Sequence, residues 1–235
     1  MVSPSAAFLI DSTKEAANRA SAKEKYLLTV GNPSVDRRAN PNAADLPGAE
    51  REVEGIRSAY PSGTNLVAEK AIRSTILKEI ARADVAHFAA HFEIDPRSSL
   101  TSKLLLGPEP GDRAHAQPSG LSAADIYQIK LSRTRLAVLS GCQTGIEQQF
   151  AGEGATGFAR SFLVAGVPVV VASLWPVDSD ATSGLMIAFH RFRKIKRYPT
   201  TESLRQAQLQ IMGDENYRSP YYWAGFTVIG GYSTF

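Results

Sequence analysis

The stretch Arg135 to Gly145 reads RLAVLSGCQTG, and its reading decides the fold. Leu136 to Leu139 is a short apolar run that stops at a small polar turn carrying Cys142. A run of this kind, bounded by Ser and Gly, predicts a buried parallel strand. In open α/β sheets the chemistry gathers just past the carboxyl ends of such strands. A second run, Asp84 to His91 (DVAHFAAH), ends the same way on a histidine. Thiol and imidazole are the two groups a cysteine nucleophile needs.

Working outward, apolar strand runs alternate with helical periods. Strands are expected at Lys25 to Gly31, Asn65 to Ala68, Asp84 to His91, Leu136 to Leu139, Val167 to Leu174 and Tyr222 to Gly230, with a further short one at Lys103 to Leu106. Helices are expected at Gly48 to Tyr60, Ala71 to Ala81, Ala123 to Gln128, Ala155 to Ala165, Ala181 to Lys196 and Thr201 to Met212. Val53, Ile56 and Tyr60 share one face of the first of these, and Ser122 caps the third with Asp125 in its first turn. Asp180 or Ser179 is the expected cap of the helix from Ala181. Alternation of this kind predicts one α/β sheet, mostly parallel, covered on both faces by helices. Residues 1–24 are polar, with one amphipathic stretch, Ser12 to Ala22, and read as a linker or the tail of an upstream segment. Residues 25–235 form the domain. The loop Gly107 to Ser119, long and rich in Pro and Gly, is expected to be functional or mobile.

The chain has 235 residues, enough to bury a core without staples. Its single cysteine excludes an internal disulfide and thiolate-rich zinc or iron–sulfur sites. No cofactor is expected, and a zinc site of His87, His91 and Cys142 would lack a fourth ligand. No signal peptide is expected from the short apolar patch Ala6 to Ile10, and the longest apolar stretch, Leu163 to Trp175, is too short to span a bilayer. A net charge of +3 does not point to nucleic acid. A cytoplasmic protein without a membrane partner is the expectation. The basic run His190 to Arg197 (HRFRKIKR) reads as a solvated helix end suited to the helix dipole, with an acidic partner surface as the sharper alternative. Gly31-Asn-Pro-Ser lacks a phosphate-loop fingerprint, which argues against nucleotide binding.

His91 and Cys142 are 51 residues apart, each just beyond a strand. His87, four residues before His91 and on the same face by alternation, reads as a buried structural histidine. Gly141 and Gly145 free the backbone around Cys142, so its N–H can point at a substrate carbonyl. Glu93 and Asp95 read as solvated loop charges, and Glu153 as structural.

The motifs together resemble the CHAT domain, a caspase-like module related to caspases and separases. LPGAEREVEGI (Leu46 to Ile56), HFAAH (His87 to His91), LAVLSGCQTG (Leu136 to Gly145), GEGATGFARSFLVAGVPVVVASLWPVDSDAT (Gly152 to Thr182) and YYWAGFTVIG (Tyr221 to Gly230) carry the resemblance. It implies a three-layer caspase-like sandwich and a cysteine endopeptidase acting on a protein or peptide substrate. Cys142 would be the nucleophile and His91 the general base and acid. The backbone N–H groups of Cys142 and Phe92 would form the oxyanion hole, Phe92 standing where relatives often have glycine. Asp178 or Asp180 would line a pocket for a basic P1 side chain, with Trp175 as a wall. A regulatory protein or a fused upstream helical-repeat domain would gate the enzyme, with Gly107 to Ser119 and Gln143 to Gly154 as places for gating or self-cleavage. The alternative is a non-catalytic interaction module on the same fold.

Overall fold

The computed structural model describes residues 1–95, 97–111, 119–141, 157–176 and 178–233. In chain order the elements are α1 (Ala6–Ala20), β1 (Tyr26–Pro33), α2 (Pro47–Arg57), β2 (Ser62–Ala68), α3 (Arg73–Ile80), β3 (Val85–Ala89), β4 (Phe92–Glu93), β5 (Lys103–Leu105), β6 (Gly120–Ser122), α4 (Ala123–Tyr127), β7 (Leu136–Leu139), α5 (Gly157–Val164), β8 (Val169–Ser173), α6 (Ser179–Lys194), α7 (Thr200–Met212), α8 (Pro220–Trp223) and β9 (Phe226–Gly230).

Six strands form one sheet in the order β2-β1-β3-β7-β8-β9. The first five are parallel and β9 runs antiparallel to β8. Side chains alternate across it, as the period-2 geometry of a strand requires. Leu28, Val30, Phe88, Leu139 and Val170 face one layer with Ile76, Ile80, Phe158 and Phe162 of α3 and α5. Leu27, Val85, Val138 and Val171 face the other with Ile56, Leu185, Phe189 and Leu204 of α2, α6 and α7. All these side chains are buried. The mostly parallel six-stranded sandwich with helices on both faces is therefore the architecture the sequence predicts.

Four details differ from the sequence expectation. A second, antiparallel sheet of β4, β5 and β6 is present, of which only β5 is expected from the sequence; strands of two or three residues carry no readable period. β9 begins at Phe226, because Pro220 opens a helical turn over Pro220–Trp223. The basic run of α6 is not uniformly solvated: His190 and Arg193 are buried, being three apart and on the inner helix face. Finally, residues 1–24, expected to be a linker or the tail of an upstream segment, are bound to the sheet. Val2 pairs with Ile229, and the Arg19 guanidinium donates to the carbonyls of Leu131 (3.1 Å), Gly166 (2.7 Å) and Thr134.

The described part of the loop after Leu106 is pinned. Gly107 pairs with Ile72, and the Glu109 carboxylate accepts from Ser74 N at 2.8 Å and Ser74 Oγ at 2.7 Å, capping α3, whose own N-cap Ile72 cannot. Among the described residues no helix is long and apolar enough to cross a membrane.

Candidate active site

Because five strands run parallel, their carboxyl ends reach one edge of the sheet. Asn32 after β1's central residues, His91 after β3, Ser140 and Gly141 after β7 and Trp175 after β8 all sit there.

His91 is half-buried, and its Nε2 lies 2.7 Å from the Ala44 carbonyl oxygen. A carbonyl only accepts, so Nε2 carries the proton and Nδ1 of the neutral ring keeps a lone pair. Ala44 is held in reach by Asn32. Its φ of +44°, a left-handed conformation that asparagine tolerates, turns the chain out of β1. Its Oδ1 then accepts from Leu46 N at 2.8 Å. The main chain of His91 is fixed separately, its carbonyl accepting from Leu105 N at 2.8 Å. A cavity of about 340 Å³ opens beside it, walled by residues 39–43, Phe92, Glu93 and Leu105.

The end of β7 is pinned from both sides. Ser140 N donates to Phe88 O at 2.7 Å, and Ser173 Oγ donates to Gly141 O. Ser140 Oγ is buried and has no hydrogen-bond partner among the described residues. Cys142 follows Gly141 and lies outside the described residues, as do Gln143 to Gly154 and with them Glu153. Phe92 lies in β4, half-buried, its ring 5.0 Å from that of Phe158 and packed onto the core.

Neither Asp180 nor Ser179 caps α6. Asp178 does, accepting from Asp180 N at 3.1 Å and Ala181 N at 2.9 Å. The helix begins at Ser179, two residues earlier than its apolar period announces, so the cap moves back with it. Asp180 is exposed and ion-paired with Arg51 of α2. This helix start comes close to the loop that holds Ala44. Ser179 packs on Gly48, where a Cβ would stand 2.1 Å from Ser179 Oγ, so only glycine fits. Trp175 Nε1 donates to Tyr221 O at 3.0 Å. Asp95 is bound by Arg97 and Thr101, whose hydrogen bonds hold its carboxyl below the usual range, and Glu93 lies 3.8 Å from Lys103 Nζ.

His87 is buried, as its place in the strand predicts, but it is not alone. Its Nε2 lies 2.7 Å from Glu52 Oε1, and its Nδ1 lies 3.2 Å from His190 Nε2. His190 Nδ1 meets Tyr60 OH at 2.8 Å, and Arg193 donates to Tyr60 OH at 3.1 Å and to Glu24. One assignment satisfies every atom when Glu52 is ionised. His87 Nε2–H donates to Glu52, His190 Nε2–H to His87, and Tyr60 O–H to His190, with both imidazoles neutral. Burial pushes His190 well below the usual histidine range, and repulsion from the charged Arg193 adds to it. Burial likewise raises the Tyr60 phenol. Burial alone would raise Glu24, but Arg193 and Lys194 outweigh it and bring the carboxyl down to about 2.

Two parts of this arrangement escape sequence reading. The Ala44 carbonyl has no signal at all, since every residue carries one. Glu52 does have one, an acid beside Val53 on the apolar face of its helix. Among the described residues no cluster of three or more His, Cys, Asp or Glu could hold a metal ion.

The CHAT domain family model matches residues 1–231. Tetratricopeptide repeat protein 28 of Mus musculus is 26% identical over 253 residues, covering 89% of this chain and 10% of that protein. The chain thus spans about a tenth of the length of the curated relatives it matches. Among solved structures, the Arg-specific cysteine proteinase gingipain R superposes with a TM-score of 0.59 at 11% identity, covering 95% of this chain and 51% of that one. Separase, in the Saccharomyces cerevisiae separase–securin complex, gives a TM-score of 0.62 at 15% identity, covering 99% of this chain and 14% of that one.

Proposed function

We propose that this chain, which belongs to the CHAT domain family, is a cysteine endopeptidase with Cys142 as nucleophile and His91 as its base and acid. One observation carries the reading. β3 and β7 pair at a constant offset of 51 residues, from Val85↔Leu136 to Phe88↔Leu139. His91 and Cys142 are separated by the same 51. Three more residues of that register would set imidazole and thiol side by side on neighbouring strand ends.

The orientation of His91 supports the reading. Its Nε2–H is held by Ala44 O, which leaves Nδ1 to take the thiol proton. The thiolate attacks the peptide carbonyl carbon, and the oxyanion is met by the N–H groups of Cys142 and Phe92. Nδ1–H then protonates the leaving amine, and a thioester remains. Water, deprotonated by Nδ1, hydrolyses the thioester and the thiol is restored. Ala44 O holds the imidazolium through both half-reactions, the part that a third side chain plays in a triad. The ring of Phe92 packs against Phe158; such packing favours an open cleft over a blocked one.

A basic P1 side chain is the proposed specificity. Asp178 is committed to its helix, so Asp180 is the free-facing acid, exchanging Arg51 for the substrate cation. The likeness to an Arg-specific cysteine proteinase is in keeping with that. A fused helical-repeat segment or a separate regulatory protein is the proposed gate. The reading is tested with fluorogenic peptides carrying Arg, Lys or Leu at P1, using the wild type and Cys142→Ala. Cleavage after Arg or Lys, lost in the variant, supports it. Hydrolysis no faster than in the variant for every peptide would leave the interaction module as the better account.

A further inference from the structure

The edge of the sheet opposite His91 holds a basic groove. Two clefts of about 490 and 460 Å³ open at the amino ends of the parallel strands and share Ala22, Lys23 and Arg135 in their walls. Among the described residues eight cationic side chains line the pair, against two carboxylates, Asp84 and Glu24. That is a local excess of six positive charges in a chain whose net charge is +3.

Structural needs account for only part of this excess. Cations at the carboxyl ends of α1 and α6 offset the helix dipoles, which explains Arg19, Arg193 and Lys194. Glu24 is neutralised by the last two. Asp84 is satisfied by Lys25 N at 2.7 Å, Tyr26 N at 2.8 Å and Arg133. Arg135, buried in the floor, donates twice to Ala22 O at 3.2 Å. Lys23, Lys25 and Arg197 remain. All three are exposed, and their side chains have no ionic partner among the described residues. Arg197 is held in place at a φ of +58°, a conformation a bulky residue rarely adopts.

We propose that this groove binds an acidic segment of a partner polypeptide. The chemistry of the lining selects that ligand. Among the described residues it contains no aromatic side chain on which a base could stack, which disfavours single-stranded nucleic acid. The exposed cations are spread along two adjoining open clefts and offer point charges, a match for carboxylates spaced along an extended chain. The site lies at the far edge of the sheet from His91, so an occupant does not compete with substrate. The proposal stands independently of the peptidase reading, because its test reads binding alone.

The test is fluorescence anisotropy of a labelled decaglutamate peptide with the full chain at about 50 and about 150 mM salt. Competing probes are an oligonucleotide of equal charge and sodium triphosphate. The expected result is saturable binding that weakens with salt and falls about tenfold or more in the triple variant Lys23→Glu/Lys25→Glu/Arg197→Glu. Lys70→Glu, on the opposite edge, should leave it unchanged. Should the triple variant misfold by circular dichroism, Lys23→Gln/Lys25→Gln/Arg197→Gln gives the same reading with a smaller loss. Three results overturn the proposal: no decaglutamate binding at the lower salt, binding indifferent to the three substitutions, or oligonucleotide or triphosphate binding tighter than the peptide by about tenfold.

Discussion

His87 and His91 lie four residues apart on one strand line and meet different surroundings. His87 is closed in, both ring nitrogens engaged by ionisable or polar side chains from α2 and α6. His91 sits at the strand's end with one nitrogen on a backbone carbonyl. The regions around them differ in the same way. Toward the amino ends of the strands, charges meet opposite charges: Glu24 pairs with Arg193, both buried, and the buried Asp84 pairs with the half-exposed Arg133. Along the carboxyl ends, polar groups meet the main chain: Asn32 meets Leu46 N, Ser173 meets Gly141 O, and His91 meets Ala44 O. A side-chain partner fixes a histidine's charge state along with its position. A backbone partner orients the ring and leaves its second nitrogen to take and give a proton.

The largest expected effect breaks this comparison in two directions. His91→Ala should lower peptidase turnover by about a thousandfold, about 4 kcal/mol in barrier, with a change in stability under about 0.5 kcal/mol. His87→Ala should do the reverse in a urea titration, costing about 3 kcal/mol because it strands the buried Glu52 carboxylate. If His91→Ala destabilised the fold as much as His87→Ala, the two sites would not be distinct. Glu24→Ala comes next. It leaves Arg193 buried without its carboxylate and should also cost about 3 kcal/mol in the same titration.

The buried groups also set the acid limb of stability. His190 has a folded pKa pushed well below the ordinary 6.5, so the unfolded chain takes up its proton first. Stability is whole above about pH 6.5 and declines as pH falls below it. Glu24, brought down to about 2 from an ordinary 4.5, contributes stability above about pH 4.5 that is lost as pH falls toward about 2. His190→Gln should flatten the upper segment of a stability–pH curve and Glu24→Gln the lower. A curve unchanged in both variants would mean that the buried chain does not govern acid unfolding.

The smallest effects sharpen the reading of α6. Asp178→Ala removes a helix cap and should cost about 1 kcal/mol, measured by thermal melting. Asp180→Asn loosens only an exposed ion pair and should cost under about 0.5 kcal/mol, while lowering the preference for Arg over Leu at P1. Equal losses of stability in the two would contradict the assignment of the cap to Asp178.

Four of the five parallel strands were legible as mainly apolar runs that end near Gly, Ser or His; β2 (SGTNLVA) opens on polar residues, so only its end, Asn65 to Ala68, was legible. Of the antiparallel sheet only β5 was legible, as the short run from Lys103; β4 and β6 were not, since two or three residues cannot display a period. One residue separated the cap from its expected place, because Asp178, Ser179 and Asp180 are all good caps and only the backbone decides among them. The pairing of Glu24 with Arg193 joins residues far apart in sequence, both in stretches that read as solvated. Ala44 contributes through its carbonyl, and its side chain says nothing about that.

The central claim is that Cys142 and His91 act as a pair, and the pH dependence of iodoacetamide alkylation tests it most directly. With one cysteine in the chain, intact mass reports Cys142 alone. The account predicts a midpoint well below the free-thiol value of about 8.5, moving up toward it in His91→Ala. Identical midpoints at or above about 8.5 in the two proteins would contradict it.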